Sequence, residues 1–145
     1  MKSLVLDKYL DEIKNSSFLI TGGAGFIGSN LVDFLISNDA KLVRVIDNLS
    51  NGKIKNINHH FKKNNFEFFE YDVRNYNDCE ISVKNIDYIS HQAALGSVPR
   101  SIKDPIATND ANVSGFLNMI TAAKNNQNIK RFVYAASSST YGSSV

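Results

Sequence analysis

The run Thr21-Gly22-Gly23-Ala24-Gly25-Phe26-Ile27-Gly28 directly follows the apolar segment Phe18-Leu19-Ile20. Nineteen residues beyond Gly28, the next apolar run closes on an acid, as Val45-Ile46-Asp47. Few chain geometries accommodate this order. A strand, a glycine-punctuated bend, a helix and a second strand ending in a carboxylate make a β–α–β unit whose helix start faces an anion. Gly22 and Gly23 supply the tight turn, where a side chain would strain the backbone. Gly25 opens the helix, and its unpaired N–H groups and positive dipole end suit phosphates. Gly28 lies one turn in, where the missing side chain lets helix and strand approach. A ligand-free glycine turn accounts for the glycines but not for an acid at that distance. The spacing therefore predicts a dinucleotide pocket.

The rest of the chain continues the alternation. Strands are predicted at Ser17–Thr21, Leu42–Asp47, Phe66–Tyr71, Ile86–His91 and Arg131–Ala136. Helical segments are predicted at Gly25–Ser37, Lys53–Phe61, part of Asn75–Lys84, and Pro105–Gln127. In the first of these Ile27, Leu31, Phe34 and Leu35 are read as the inward face. Such alternation implies right-handed crossovers and a parallel sheet with helices on both faces. The fold class predicted is α/β, a Rossmann-type doubly wound sheet of strand order 3-2-1-4-5, with the ligand crevice at the carboxyl ends of strands 1 and 4. Ahead of it Leu4, Leu6, Tyr9, Leu10 and Ile13 recur at helical spacing. Residues 1–15 are thus read as an amphipathic amino-terminal helix, and 16–145 as the dinucleotide-binding domain.

Composition narrows the function classes. The 145 residues carry 16 basic and 14 acidic side chains, a net charge of +2, too balanced to argue for nucleic acid or an anionic membrane. With 43% hydrophobic residues, the chain can bury a real core. A single cysteine, Cys79, excludes an internal disulfide framework and a cysteine-only metal site. His59 and His60 are adjacent, so on a helix they would point apart and make poor joint ligands; no metal is expected. Neither a signal-peptide core nor a spanning stretch is visible, and a cytoplasmic protein is predicted.

Asp47 is expected to accept hydrogen bonds from the ribose hydroxyls and to repel a 2′-phosphate, which favours NAD over NADP. Asn48 and the Ser50-Asn51-Gly52 turn would complete the rim, although turn chemistry alone explains Gly52 equally well. Asp72-Val73 ends the third strand. There it either reads an adenine edge through a carboxylate and a backbone N–H, or simply caps the strand.

These residues resemble the extended short-chain dehydrogenase/reductases, the NAD-dependent nucleotide-sugar epimerases and dehydratases. The glycine run looks like that family's fingerprint. Asp47-Asn48-Leu49-Ser50-Asn51-Gly52 is similar to its ribose loop, and Tyr71-Asp72-Val73-Arg74 to its adenine segment. The resemblance extends to His91-Gln92-Ala93-Ala94 and to Ser137-Ser138-Ser139-Thr140-Tyr141-Gly142 at the ends of strands 4 and 5. It implies cofactor contacts from Phe26, Ile27, Gln92, Ala93 and Ala94, and a catalytic serine at Ser137. Asn112 would support the active-site backbone, and Gly96, Ser97, Ser138 and Ser139 would face the sugar. The tract His91–Ser101 looks like the UDP-N-acetylglucosamine 4-epimerase branch. That branch takes acetylated UDP-hexoses or their uronic acids and feeds surface-polysaccharide synthesis.

The same resemblance implies a Tyr-x-x-x-Lys pair, yet no tyrosine here is followed four residues later by lysine. The chain is therefore expected to be an amino-terminal fragment that binds NAD but does not epimerise alone. Full-length relatives would dimerise through helices of which 105–127 looks like one. A dehydratase or decarboxylase fragment, or a non-catalytic NAD-binding module, are the alternative readings.

Overall fold

The structure, a computed structural model, describes residues 9–137 and residue 142. Its strands are β1 (Ser17–Thr21), β2 (Leu42–Ile46), β3 (Phe66–Phe69), β4 (Tyr88–His91) and β5 (Arg131–Tyr134). Its helices are α1 (Leu10–Lys14), α2 (Phe26–Ser37), α3 (Tyr76–Ser82), α4 (Val98–Lys103), α5 (Pro105–Asn109) and α6 (Gly115–Asn125). All strand pairs are parallel, in the order β3-β2-β1-β4-β5, as the alternation predicts. Central β1 pairs Thr21 with Ile46 of β2 on one side and with His91 of β4 on the other. Strand order reverses between β1 and β4, so the carboxyl ends of these two strands frame a crevice.

Period-2 alternation splits the core between the two faces of the sheet. One face joins Leu19, Ile46 and Ile89 to Cys79 and Val83 under α3 and to Met119 and Ala122 under α6. The other joins Ile20, Val43 and Val45 to Val32, Leu35 and Ile36 of α2 and to Ile57. Arg44 is the polar exception inside β2. Its guanidinium donates to the Ser82 and Lys84 carbonyls at the end of α3 and to Glu67 at 2.7 Å. A buried charge of this kind persists because Nε and Nη1 find these acceptors and Glu67 supplies the opposite charge.

Four expectations need correction. The inward face of α2 is Gly28, Ser29, Val32, Leu35 and Ile36, whereas Ile27 and Phe34 are exposed. The helix predicted over 53–61 is two single 3-10 turns, Ile54–Asn56 and Asn58–His60. The long helix over 105–127 is interrupted at Asp110–Ser114, which widens into a π turn between α5 and α6. An unpredicted helix, α4, follows β4; the Ser97 hydroxyl caps it by accepting from the Arg100 N–H, with Pro99 in its first turn. Of the predicted amino-terminal helix, residues 9–15 are among those described, and Leu10–Lys14 are helical. No helix among them is long and apolar enough to cross a membrane.

Candidate functional site

The glycine bend is held in place by its neighbours on three sides. Gly22 has a positive φ of 66°, and a Cβ there would strike the Ala93 backbone 2.8 Å away, so only glycine fits between β1 and β4. Its N–H donates to the Ile46 carbonyl at 2.8 Å. At Gly28, a Cβ would press into the Gly22 carbonyl, which is why α2 lies so close to the bend. The Ala24 carbonyl accepts from the Lys53 N–H at 3.0 Å and from the Asn56 amide at 2.8 Å. Gly25 precedes α2 in extended geometry and carries no capping side chain. The first N–H groups of the helix are therefore left for a ligand.

Asp47, one residue past β2, is buried, and its carboxylate ties the bend to the loop that follows. One oxygen accepts from the Ala24 N–H at 3.0 Å, the other from the Leu49 N–H at 2.8 Å. Leu49 sits at φ 58°, a left-handed conformation that costs a non-glycine residue on the order of 1 kcal/mol. The Asp47 bond fixes it there. Gly52 closes the loop against the same carboxylate, since a Cβ would stand 2.7 Å from its oxygens. The glycine at this place is thus set by contact with Asp47 and not by turn chemistry alone.

Beyond β3, the Asp72 carboxylate accepts from the Arg74 guanidinium at 2.6 Å and from the Asn48 amide at 2.9 Å. The Arg74 guanidinium beside it brings the Asp72 carboxyl down to about 2. Beyond β4, the buried Thr21 hydroxyl accepts from the N–H groups of Gln92 and Ala93 at 3.2 and 3.1 Å. The same hydroxyl is hydrogen-bonded to His91 Nδ1, 2.8 Å away. Burial against Phe116 and Phe132 lowers the His91 imidazole to about 4, so the ring is neutral at physiological pH. Asn112, in the π turn, clasps one residue of the next loop from both sides: it accepts from the Leu95 N–H at 2.7 Å and donates to the Leu95 carbonyl at 3.1 Å.

These four segments enclose one cleft. Of the predicted contacts, Gly22, Gly25, Asp47, Asn48, Ser50, Gly52, Asp72, Val73, Gln92, Ala93 and Ala94 line it. Phe26 and Ile27 do not, being 85% and 60% exposed beside it. Gly28 and Asn112 act from behind, through packing and through Leu95. Gly96 and Ser97 follow on the exposed surface, and Ser137 lies three residues beyond the end of β5. Ser138 and Ser139 fall outside the described residues. The sequence reading missed Ile46, Tyr71, Arg74, Leu95 and Ala111 as lining residues. It also missed Arg100, whose guanidinium donates to Asn51 at 3.1 Å across the loops. Only the cap and proline that start α4 could have signalled that last contact.

A dinucleotide fits this arrangement on two counts. The uncapped helix start suits a diphosphate, and the walls combine apolar surface from Ile46, Val73 and Ala93 with the Asp47 and Asp72 carboxylates. Thiol chemistry does not fit. Burial pushes the Cys79 thiol up to about 12, and it donates to the Val73 carbonyl inside the core.

A model of the NAD dependent epimerase/dehydratase family matches residues 18–145. UDP-glucuronic acid decarboxylase 1 of Danio rerio is 38% identical over 135 residues, covering 93% of this chain and 30% of that protein. Among solved structures, the UDP-N-acetylglucosamine 4-epimerase of Methanobrevibacter ruminantium, in complex with UDP-N-acetylmuramic acid, is 42% identical. It superposes with a TM-score of 0.80 over 89% of this chain and 40% of its own. The Bordetella bronchiseptica enzyme WbmF, crystallised with NAD+, is 29% identical with a TM-score of 0.79, over 88% of this chain and 38% of its own. The chain thus spans 30–40% of the length of these relatives. A match running through both the glycine bend and the crevice it opens makes this chain a member of the NAD-dependent epimerase/dehydratase family, with NAD as its cofactor.

Proposed function

We propose that this chain is the NAD-binding part of a nucleotide-sugar 4-epimerase acting on UDP-N-acetylhexosamines or their uronic acids. The observation that carries the reading is the 42% identity, over 89% of the chain, to a UDP-N-acetylglucosamine 4-epimerase. The tract Gly96-Ser97-Val98, beside the cleft, supports it as the segment facing the sugar. NAD+, when bound, supplies a reversible hydride acceptor for carbon 4 of the sugar. The chain's own residues set its position. The start of α2 holds the diphosphate, Asp47 takes the ribose hydroxyls, and Asp72 with Asn48 borders the adenine end. The Thr21 and Asn112 bonds to residues 92, 93 and 95 fix the backbone that borders the nicotinamide end. Ser137 holds the reacting oxygen, with Ser138 and Ser139 near the sugar. The proton of that oxygen needs a tyrosine–lysine pair, which this sequence does not contain.

In this reading the chain alone binds NAD+ without turning over UDP-sugar. It works in the cytoplasm, as part of a homodimer, and its product feeds polysaccharide synthesis. A decarboxylase reading has its own support in the 38% identity to UDP-glucuronic acid decarboxylase 1. Two chimeras test the pair. This chain replaces the matching amino-terminal part of the Methanobrevibacter epimerase in one, and that of the Danio decarboxylase in the other. The 4-epimerase chimera is expected to convert UDP-N-acetylglucosamine, with turnover reduced on the order of 100-fold by Ser137→Ala. Turnover only in the decarboxylase chimera would reverse the assignment.

A further inference from the structure

Away from the cofactor cleft, side chains from two elements converge on one point. Asp33 lies on the outer face of α2, and His59 and His60 occupy the second 3-10 turn. Nε2 of His60 stands 2.6 Å from Asp33 Oδ1, and Nε2 of His59 stands 3.0 Å from the same oxygen. We propose that Asp33, His59 and His60 form a binding site for a borderline divalent transition cation, Zn2+ foremost. The site goes beyond the cofactor reading and does not depend on it.

Three observations carry the proposal. First, one ligand atom from each residue lies within 4.8 Å of the other two. Ligand atoms bonded to zinc at about 2.0–2.2 Å stand roughly 3 Å apart, so the cluster needs only a small opening to admit the ion. Second, the His60 side chain is 6% exposed, and its ring is fixed between His59 and Phe66, with centroids 3.9 and 5.6 Å away. Among the described residues its buried Nδ1 has no hydrogen-bond partner, so Nε2, aimed into the cluster, carries the ring's polar contact. The buried imidazole is therefore already oriented as a ligand. Third, Asp33 and His59 are 50% and 53% exposed, which gives the ion a way in and leaves positions for water.

The donor set selects the metal. Two imidazole nitrogens and one carboxylate suit Zn2+, Co2+, Ni2+ or Cu2+, whereas Mg2+ and Ca2+ want oxygen throughout. Adjacent histidines diverge on an α-helix, as the sequence reading expected. The 3-10 turn brings the two rings onto one oxygen instead. A bound ion would staple α2 to the segment that runs from the Asn48–Gly52 rim to His60.

The test uses the untagged full chain, freed of metal by chelation and titrated calorimetrically with zinc chloride. Uptake of one ion per chain is expected in the micromolar range, with none of magnesium chloride, and a visible absorption band with cobalt chloride. His59→Ala, at a half-exposed position, should fold normally and weaken zinc uptake at least about tenfold; Asp33→Asn should do the same. Zinc should also raise the melting temperature of the parent chain but not of His59→Ala. Absence of saturable zinc uptake, unchanged uptake by His59→Ala, or equal uptake of magnesium would overturn the site. Titrating NAD+ into the same metal-free sample keeps the two readings separate. Normal NAD+ binding with no zinc uptake sinks the metal site alone.

Discussion

Asp47 shows how one side chain can serve structure and recognition together. Its two oxygens already hold the Ala24 and Leu49 N–H groups, so the carboxylate fixes the rim before any ribose arrives. Each oxygen keeps a further lone pair for a hydroxyl. His91 is the complementary case, a buried ring whose state feeds back on stability. Its imidazole titrates near 4 in the folded chain against an ordinary value of 6.5. Between those limits, the unfolded chain binds the proton that the folded one refuses, so stability is full above pH 6.5 and is lost as pH falls toward 4. The displacement corresponds to about 3 kcal/mol over the whole window. Urea unfolding at a series of pH values should show this slope, and His91→Gln should remove most of it. Equal slopes in the two proteins would mean that another group dominates acid unfolding.

Among the elements, the ones the sequence left undetermined are those whose orientation depends on a distant contact. Helix α2 was legible as a helix, but not its rotation. Apolar residues at 27, 31, 34 and 35 outline one plausible face; the face adopted, at 28, 32, 35 and 36, follows from Gly28 lying against the Gly22 carbonyl. The break between α5 and α6 was flagged only indirectly, by Asn112 and Gly115, both poor in helix interiors. Why the turn widens there becomes visible once Asn112 meets Leu95, which lies 17 residues earlier. The sheet order and the crevice were legible because strand, glycine bend and terminal acid are local patterns. Strand β5 carries the element-scale prediction. Among the described residues it pairs with β4 alone, and Val133 and Tyr134 are 53% and 54% exposed. Leu117 of α6 is 60% exposed. An apolar open edge of this kind promotes self-association. Light scattering should show the chain growing in mass with concentration, and Val133→Lys combined with Leu117→Lys should hold it near 16.1 kDa. A parent chain that stays monomeric at high concentration would contradict the argument.

At the scale of the molecule, the two halves of the core lie on opposite faces of the sheet and meet where the cleft opens. Ile46 belongs to one half, Ala24 to the other, and Asp47 bonds across from the end of β2 to the Ala24 N–H. A ligand spanning the glycine bend and the ends of β2, β3 and β4 contacts both halves, so its binding energy should appear as global stability and not as local stiffening. Linkage fixes the size: about 2.7 kcal/mol when free NAD+ stands at a hundred times its dissociation constant, with the melting temperature rising further as NAD+ is added. NADP+ should do far less, because its 2′-phosphate would face the Asp47 carboxylate in a buried setting. Asp47→Asn should narrow that gap by removing the repulsion, while lowering affinity for NAD+ through weaker bonds to the ribose hydroxyls. The measurement is thermal unfolding across concentrations of each dinucleotide, set against calorimetric dissociation constants for the same proteins. Equal stabilisation of the parent chain by NAD+ and NADP+ would remove Asp47 as the discriminating group, and an unchanged gap in Asp47→Asn would place the discrimination elsewhere on the rim.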